Sequence, residues 1–128
     1  MRLLIVRHAE AAPGTPDELR TLTPGGREQA RLLGEELRRD GLAADAVLCS
    51  PLLRARETAQ ALGLGDAEVD ERLAPGATAS DLRDTARGRG DVVVVVGHQP
   101  DCSRAVAELT GGEEPAFPPC AYAVVELE

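Results

Sequence analysis

The chain has 128 residues, 43% apolar and 28% charged, and a net charge of −8 in which all 14 cations are arginine; this is the make-up of one globular domain, residues 1–128, and not of a disordered or fibrous chain. An acidic surface repels nucleic acid and anionic membrane, so any anion that binds has to be held by a local cluster of arginines against the overall field. No apolar run approaches the ~20 residues of a membrane-spanning helix, and Met1-Arg2 leads into a strand-like run instead of a signal-peptide core, which makes the cytoplasm the expected location.

Residues 2–7 read as a buried strand, aliphatic and β-branched, too short and continuous for an amphipathic helix. A loop rich in Pro, Gly and Thr follows. Thr23-Pro24 then reads as an N-cap with proline at N1, opening a helix whose Ala30, Leu33 and Leu37 share a face up to the stop at Asp40-Gly41. Residues 46–49 make a second strand, and Ser50-Pro51 is expected to open a second helix with Ala55, Ala59 and Leu62 on its inner face. A short strand is expected around Val69, and a helix from Ser80-Asp81 through Ala86. Val92 to Val96, consecutive β-branched residues, give the strongest strand signal and suit a strand covered on both faces. From Pro100 a helix presents Cys102, Ala105, Val106 and Leu109, and residues 121–127 alternate as a closing strand near a sheet edge. This succession implies a three-layer α/β/α sandwich with a mostly parallel central sheet. No repeat or linker divides it.

The chain has two histidines, His8 and His98, and each directly follows an apolar strand run. In open α/β sheets ligands bind beyond the carboxyl ends of the strands, where helix N-termini also point free N–H groups. His8, Arg54 and His98 each follow a different predicted strand, so they can converge on one sheet edge. Arg7 stands beside His8, and Arg54 falls in the first turn of the predicted second helix. Two arginine forks, two imidazoles and a helix N-terminus describe a pocket for a tetrahedral oxyanion, most naturally a phosphoryl group. Cationic neighbours favour the uncharged form of His8, which can attack phosphorus and split the transfer into two displacements.

Taken singly, each residue has an ordinary reading: an Arg-His pair after a strand is common, His98 could cap a helix, and Arg54 could be a solvated helix residue. Their joint placement at strand exits is what favours a site. Two histidines would need further ligands to hold a metal, and Glu10 and Asp101 lie at no recognised ligand spacing, so neither metal nor cofactor is expected. Other nucleophiles fit less well. No Gly-x-Ser-x-Gly elbow occurs, the lack of lysine rules out a P-loop, and Cys49 and Arg54 are separated by one residue too few for a cysteine phosphatase loop. Cys49, Cys102 and Cys120 lack paired zinc-site spacing and are expected as reduced thiols, Cys49 in the core.

Three segments carry a resemblance: Arg7-His8-Ala9-Glu10, Ser50-Pro51-Leu52-Leu53-Arg54-Ala55-Arg56-Glu57-Thr58-Ala59, and Val96-Gly97-His98-Gln99-Pro100. Their order and spacing over nearly the whole chain resemble the signature of the histidine phosphatase superfamily, which includes the phosphoglycerate mutases; Leu22-Thr23-Pro24-Gly25-Gly26 with Gln29-Ala30 is similar to the start of the family's first helix. The resemblance implies a phosphoglycerate mutase-like fold, His8 as the phosphorylated nucleophile, and Arg7, Arg54 and His98 on the phosphoryl oxygens. Gln99, inside the third segment, and Arg20, in the loop from Ala11 to Thr21, are further candidates to bind phosphate or substrate.

Two departures narrow the branch. Members acting on sugar phosphates usually carry a proton-donating glutamate after an Arg-Leu, whereas here Arg72-Leu73-Ala74 is followed by Pro75; Glu71 and Glu10 are the candidates to substitute. The chain also has no room for the helical insertions that cap the site in mutases and phytases. Both features point to a phosphoramidate on a bulky partner, because an imidazole leaving group needs less help from an acid than an alkoxide does. The chain is thereby similar to the short SixA-type phosphohistidine phosphatases that act on phosphorelay proteins. The implied partner is a phosphorylated protein, with a small phosphate-containing molecule or a non-catalytic phosphate-binding role as the alternatives, and the chain is expected to act as a monomer.

Overall fold

A computed structural model describes all 128 residues. The sheet has five strands, β1 (Arg2–Arg7), β2 (Ala46–Cys49), β3 (Ala67–Val69), β4 (Val92–Gly97) and β5 (Tyr122–Glu126), in the order β3-β2-β4-β1-β5. All pairings are parallel except that of β5 with β1. The helices are α1 (Pro24–Arg39), α2 (Leu53–Leu62), α3 (Ala79–Ala86) and α4 (Asp101–Thr110), with single 3-10 turns at Asp17–Leu19 and Glu71–Leu73.

The pleat sorts the core into two halves. Leu3 and Ile5 of β1, with Val93 and Val95 of β4, face Leu82 and Ala86 of α3 and Cys102, Ala105 and Val106 of α4. Leu4 and Val6, with Val94 and Val96, face Leu33 and Leu37 of α1 and Ala55, Ala59 and Leu62 of α2. Because successive side chains of a strand point to opposite faces, a strand sandwiched between helices has to be apolar at every position. Leu3 to Val6 and Val93 to Val96 are all buried, as that rule requires. The three-layer sandwich is thus present as read from the pattern, with α1 and α2 on one face and α3 and α4 on the other.

Side-chain caps define the starts of α1 and α3. Thr23 Oγ1 accepts from Gly26 N at 2.9 Å with Pro24 in the first turn. Thr78 and Asp81 form a reciprocal capping box, so α3 begins at Ala79, one residue before the expected Ser80. The second helix is a correction: it opens at Leu53 and not at Ser50-Pro51. Leu52 is extended (φ −69°, ψ 140°) and, being apolar, cannot cap this helix; the Ser50 hydroxyl accepts from Leu52 N, one turn too early, and contacts His98 Nε2. Arg54 still falls in the first turn.

Close backbone approach fixes the angle of α1. A Cβ at Gly34 would collide with the Leu62 carbonyl at the end of α2, and one at Gly26 would collide with Glu10 O in the segment following His8. Substituting either glycine forces main chain apart from main chain, which no side-chain rotamer can relieve. The loop after β1 is therefore pinned to the start of α1, and with it the position of the residues that follow the strand.

Candidate active site

His8 and His98 occupy the crevice that the topology singles out. β1 and β4 are adjacent and parallel, yet the chain leaving β1 runs to α1 on one face while the chain leaving β4 runs to α4 on the other. Such a reversal opens a cleft beyond the strand ends, which is where open α/β sheets bind ligands. The ladder continues to the first residue outside β1, since His8 N donates to Gly97 O at 3.0 Å, and similarly beyond β2, since Ser50 N donates to Val96 O at 3.1 Å. The two imidazoles lie 5.4 Å apart, centroid to centroid, with their planes inclined by 57°.

Hydrogen bonding settles the state of His8. Its Nδ1 lies 2.7 Å from Ala9 O, and a carbonyl can only accept, so Nδ1 carries the proton and the Nε2 lone pair is left free. Ala9 is held in turn by Thr58, whose hydroxyl accepts from Ala9 N at 2.9 Å and donates to Arg54 O at 2.8 Å. One side chain of α2 thereby ties the backbone beside His8 to the turn that carries Arg54. Burial pushes the His8 pKa down to about 4, against the Ala9 hydrogen bond, and the charges of Arg54, Arg7 and Arg20 push the same way as burial. At neutral pH the ring is an uncharged base, as expected from its cationic neighbours.

His98 is 4% exposed, and burial, then His8 and Arg54, lower its pKa to about 4 as well. Its Nε2 lies 2.8 Å from the Ser50 hydroxyl, and its Nδ1 has no partner. Arg54, also buried, donates from Nη1 to Asp17 O at 3.0 Å and from Nη2 to Asp17 Oδ2 at 3.2 Å. Arg7 donates from Nη1 to Phe117 O at 3.0 Å. The Nε atoms of both arginines are buried and unpartnered, leaving hydrogen-bonding capacity for an anion that the protein itself does not use.

Arg20 is drawn into the same cluster indirectly: it donates to Ala12 O at 2.9 Å and to Asp17 Oδ1 at 3.1 Å. Asp17 thus bridges Arg20 and Arg54, and their hydrogen bonds and charges, Arg20's first, hold its carboxyl below the usual range. The Gln99 amide donates to Ser103 Oγ at 3.1 Å and accepts from Ser103 N at 2.9 Å, so in this structure both of its ends are engaged by the first turn of α4. Ser50 and Thr58, both in the second sequence segment, acquire a part in the site only through their contacts across the sheet edge.

The alternative acids are placed unfavourably. Glu10 accepts from Thr23 Oγ1 at 2.8 Å, which commits it to the start of α1, and Glu71 sits exposed on its 3-10 turn. The thiols are no rivals to His8 either, since burial pushes Cys49 and Cys120 up to about 11 and Cys102 to about 12, keeping all three protonated. No cavity is lined by His8, Arg7 or Arg54. The crevice beside His98, walled by Leu73, Ala77, Leu82 and Cys102, has room for little more than one water. Substrate has to approach over an open strand-end surface.

With this geometry in place, comparison with known proteins is decisive. The profile of the histidine phosphatase superfamily (branch 1) matches residues 3–75. The chain belongs to the histidine phosphatase superfamily. It is 33% identical to the phosphohistidine phosphatase SixA of Escherichia coli (strain K12) over 139 aligned positions, covering 100% of this chain and 86% of the relative. The solved structure of the protein histidine phosphatase SixA complexed with tungstate matches with a TM-score of 0.90 at 32% identity, covering 100% of this chain and 89% of that one. A phosphoserine phosphatase from Entamoeba histolytica matches with a TM-score of 0.75 at 17% identity, over 96% of this chain and 89% of its own, which shows the fold alone. As a member of the superfamily the chain carries a phosphoglycerate mutase-like α/β fold.

Proposed function

We propose that this histidine phosphatase superfamily member is a phosphohistidine phosphatase that works through a covalent intermediate on His8. The observation that carries the reading is the His8 geometry: an uncharged imidazole with its Nδ1 proton held by Ala9 O and its Nε2 free, amid three arginines. Likeness to SixA over the full chain supports the substrate class.

In the first displacement His8 Nε2 attacks the phosphorus in line. The P–Nε2 bond forms as the P–N bond to the substrate's imidazole breaks, and that ring departs neutral because its other nitrogen holds a proton. Arg7, Arg54 and His98 stabilise the charge on the equatorial oxygens. The phosphorylated His8 ring is cationic, and the Nδ1–H···O=C bond to Ala9 stabilises it. Water then attacks phosphorus and the P–Nε2 bond breaks with its electron pair going to Nε2, which restores neutral His8 with its Nδ1 proton; both protons of the water leave with the inorganic phosphate, as H2PO4− that equilibrates with solvent. Neither step requires a protonated carboxylic acid, in keeping with Pro75 standing where an acid would be needed. The open strand-end surface suits a phosphohistidine presented on a helix of another protein, and we propose that the enzyme acts as a cytoplasmic monomer on such partners.

The test is a substrate panel. Purified enzyme should dephosphorylate a phosphohistidine protein far faster than p-nitrophenyl phosphate, and an alkyl phosphate slowest of all, because the demand for an acid rises in that order. Equal efficiency on alkyl phosphates would instead establish a general phosphomonoesterase.

A further inference from the structure

Ser50 is fully buried, and its hydroxyl touches two groups: Leu52 N donates to it at 3.2 Å, and His98 Nε2 lies 2.8 Å away. The direction of the second bond follows from counting partners. A hydroxyl has one proton to give, and no acceptor other than His98 Nε2 lies within hydrogen-bonding reach of Ser50. If Nε2 were the donor, the Ser50 proton would be buried and unsatisfied, costing roughly 1–3 kcal/mol. If Ser50 donates, its hydroxyl is satisfied both ways, with Leu52 N–H to Ser50 Oγ and Ser50 O–H to His98 Nε2, and only His98 Nδ1 is left without a partner.

The consequence appears on the other side of the ring. A neutral imidazole that accepts at Nε2 carries its proton on Nδ1, and Nδ1 is the atom of His98 that is buried with no partner in the protein. We propose that Ser50 is a positioning residue that fixes His98 in its Nδ1–H tautomer, so that this imidazole presents a hydrogen-bond donor to a phosphoryl oxygen. The opposite tautomer would present a lone pair to an anion and repel it. Ser50 can do this because β2 and β4 are parallel neighbours in register Cys49↔Val96, which places the first residue beyond β2 next to the residues leaving β4. Its lone pair meanwhile accepts from Leu52 N in the extended turn ahead of α2, and that helix starts at Leu53, two residues later than its sequence suggests.

The proposal rests on the His98 role given above, and its test separates the two. Long-range 1H–15N correlation spectra at pH 7 read the tautomer directly, without substrate: His98 of the wild type should be protonated at Nδ1, and Ser50→Ala should show a mixture of tautomers. A wild-type His98 protonated at Nε2 would overturn the assignment, whether or not the alanine variant folds and whatever the substrate. In kinetics on a phosphohistidine protein, Ser50→Ala should lower kcat about ten- to a hundredfold with KM within about twofold, as expected for loss of an oriented donor to the transition state. In a His98→Ala background the same substitution should cost nothing further, whereas additive losses would show that Ser50 acts by some route other than His98.

Discussion

The two histidines leave neighbouring strands at the same sheet edge, yet they are held by different means. His8 is oriented by the carbonyl of its own neighbour Ala9 at 2.7 Å, a backbone group that no substitution removes. His98 is oriented by a hydroxyl 48 residues away in sequence, on the strand exit on its other side. A proposed nucleophile with a main-chain partner and a proposed charge stabiliser with a side-chain partner differ in how readily they can be perturbed. The direct partner of the first cannot be removed by substitution, whereas that of the second can.

Four measurements sharpen that contrast, from the largest expected effect to the smallest. His8→Ala should lower phosphohistidine hydrolysis by at least about a thousandfold and abolish any phosphoenzyme seen by intact-mass spectrometry after rapid quench; a variant that keeps several per cent of activity would remove His8 as the nucleophile. His98→Ala should still form the phosphoenzyme, with kcat reduced about a hundred- to a thousandfold, the usual cost of one donor to developing negative charge. Loss of phosphoenzyme in that variant would make the two roles indistinguishable.

The third concerns pH. Both rings are held near 4 in the fold against an ordinary 6.5. Between those values the unfolded chain takes up protons that the folded one refuses, so stability rises with pH across this window and is lost as pH falls from 6.5 towards 4, on the order of 3 kcal/mol per ring. Urea denaturation at pH 7 and pH 4.5 should show this loss in the wild type and a clearly smaller one in His98→Gln. Equal losses would mean that His98 titrates normally. Activity should correspondingly show no loss between pH 7 and about 5 wherever the enzyme stays folded, because His8 is already neutral there while the substrate's ring only gains the proton it departs with.

The smallest effect concerns Asp17, whose carboxylate already pairs with Arg54. An incoming phosphoryl group has to share or displace that contact, so Asp17→Asn should tighten inorganic phosphate binding a fewfold by calorimetry. The gain is modest because the Asp17 side chain is 62% exposed and solvent screens its charge. Weaker binding in the variant would instead assign Asp17 a supporting part in the site.

Much of this was legible in the residues. Leu3 to Val6 and Val92 to Val96 read as doubly covered strands because continuous β-branched and aliphatic runs have few other uses, and His8, Arg54 and His98 stood out as polar residues directly beyond such runs. The start of α2 lies two residues beyond the one suggested by Ser50-Pro51, which has the form of a cap but whose hydroxyl bonds Leu52 N and a distant imidazole, a contact that leaves no local trace. The Gln99 contacts were equally invisible in the sequence: its neighbour His98 lines the crevice, while its own amide bonds to Ser103 one helical turn ahead.

By itself the sequence determined the layers and the residues available for phosphoryl chemistry, since hydrophobic period and strand-exit position are local properties of the chain. Only the tertiary structure decided which protons those residues carry. A tautomer depends on a partner at 2.7 or 2.8 Å, and for His98 that partner comes from a strand exit brought alongside by parallel pairing.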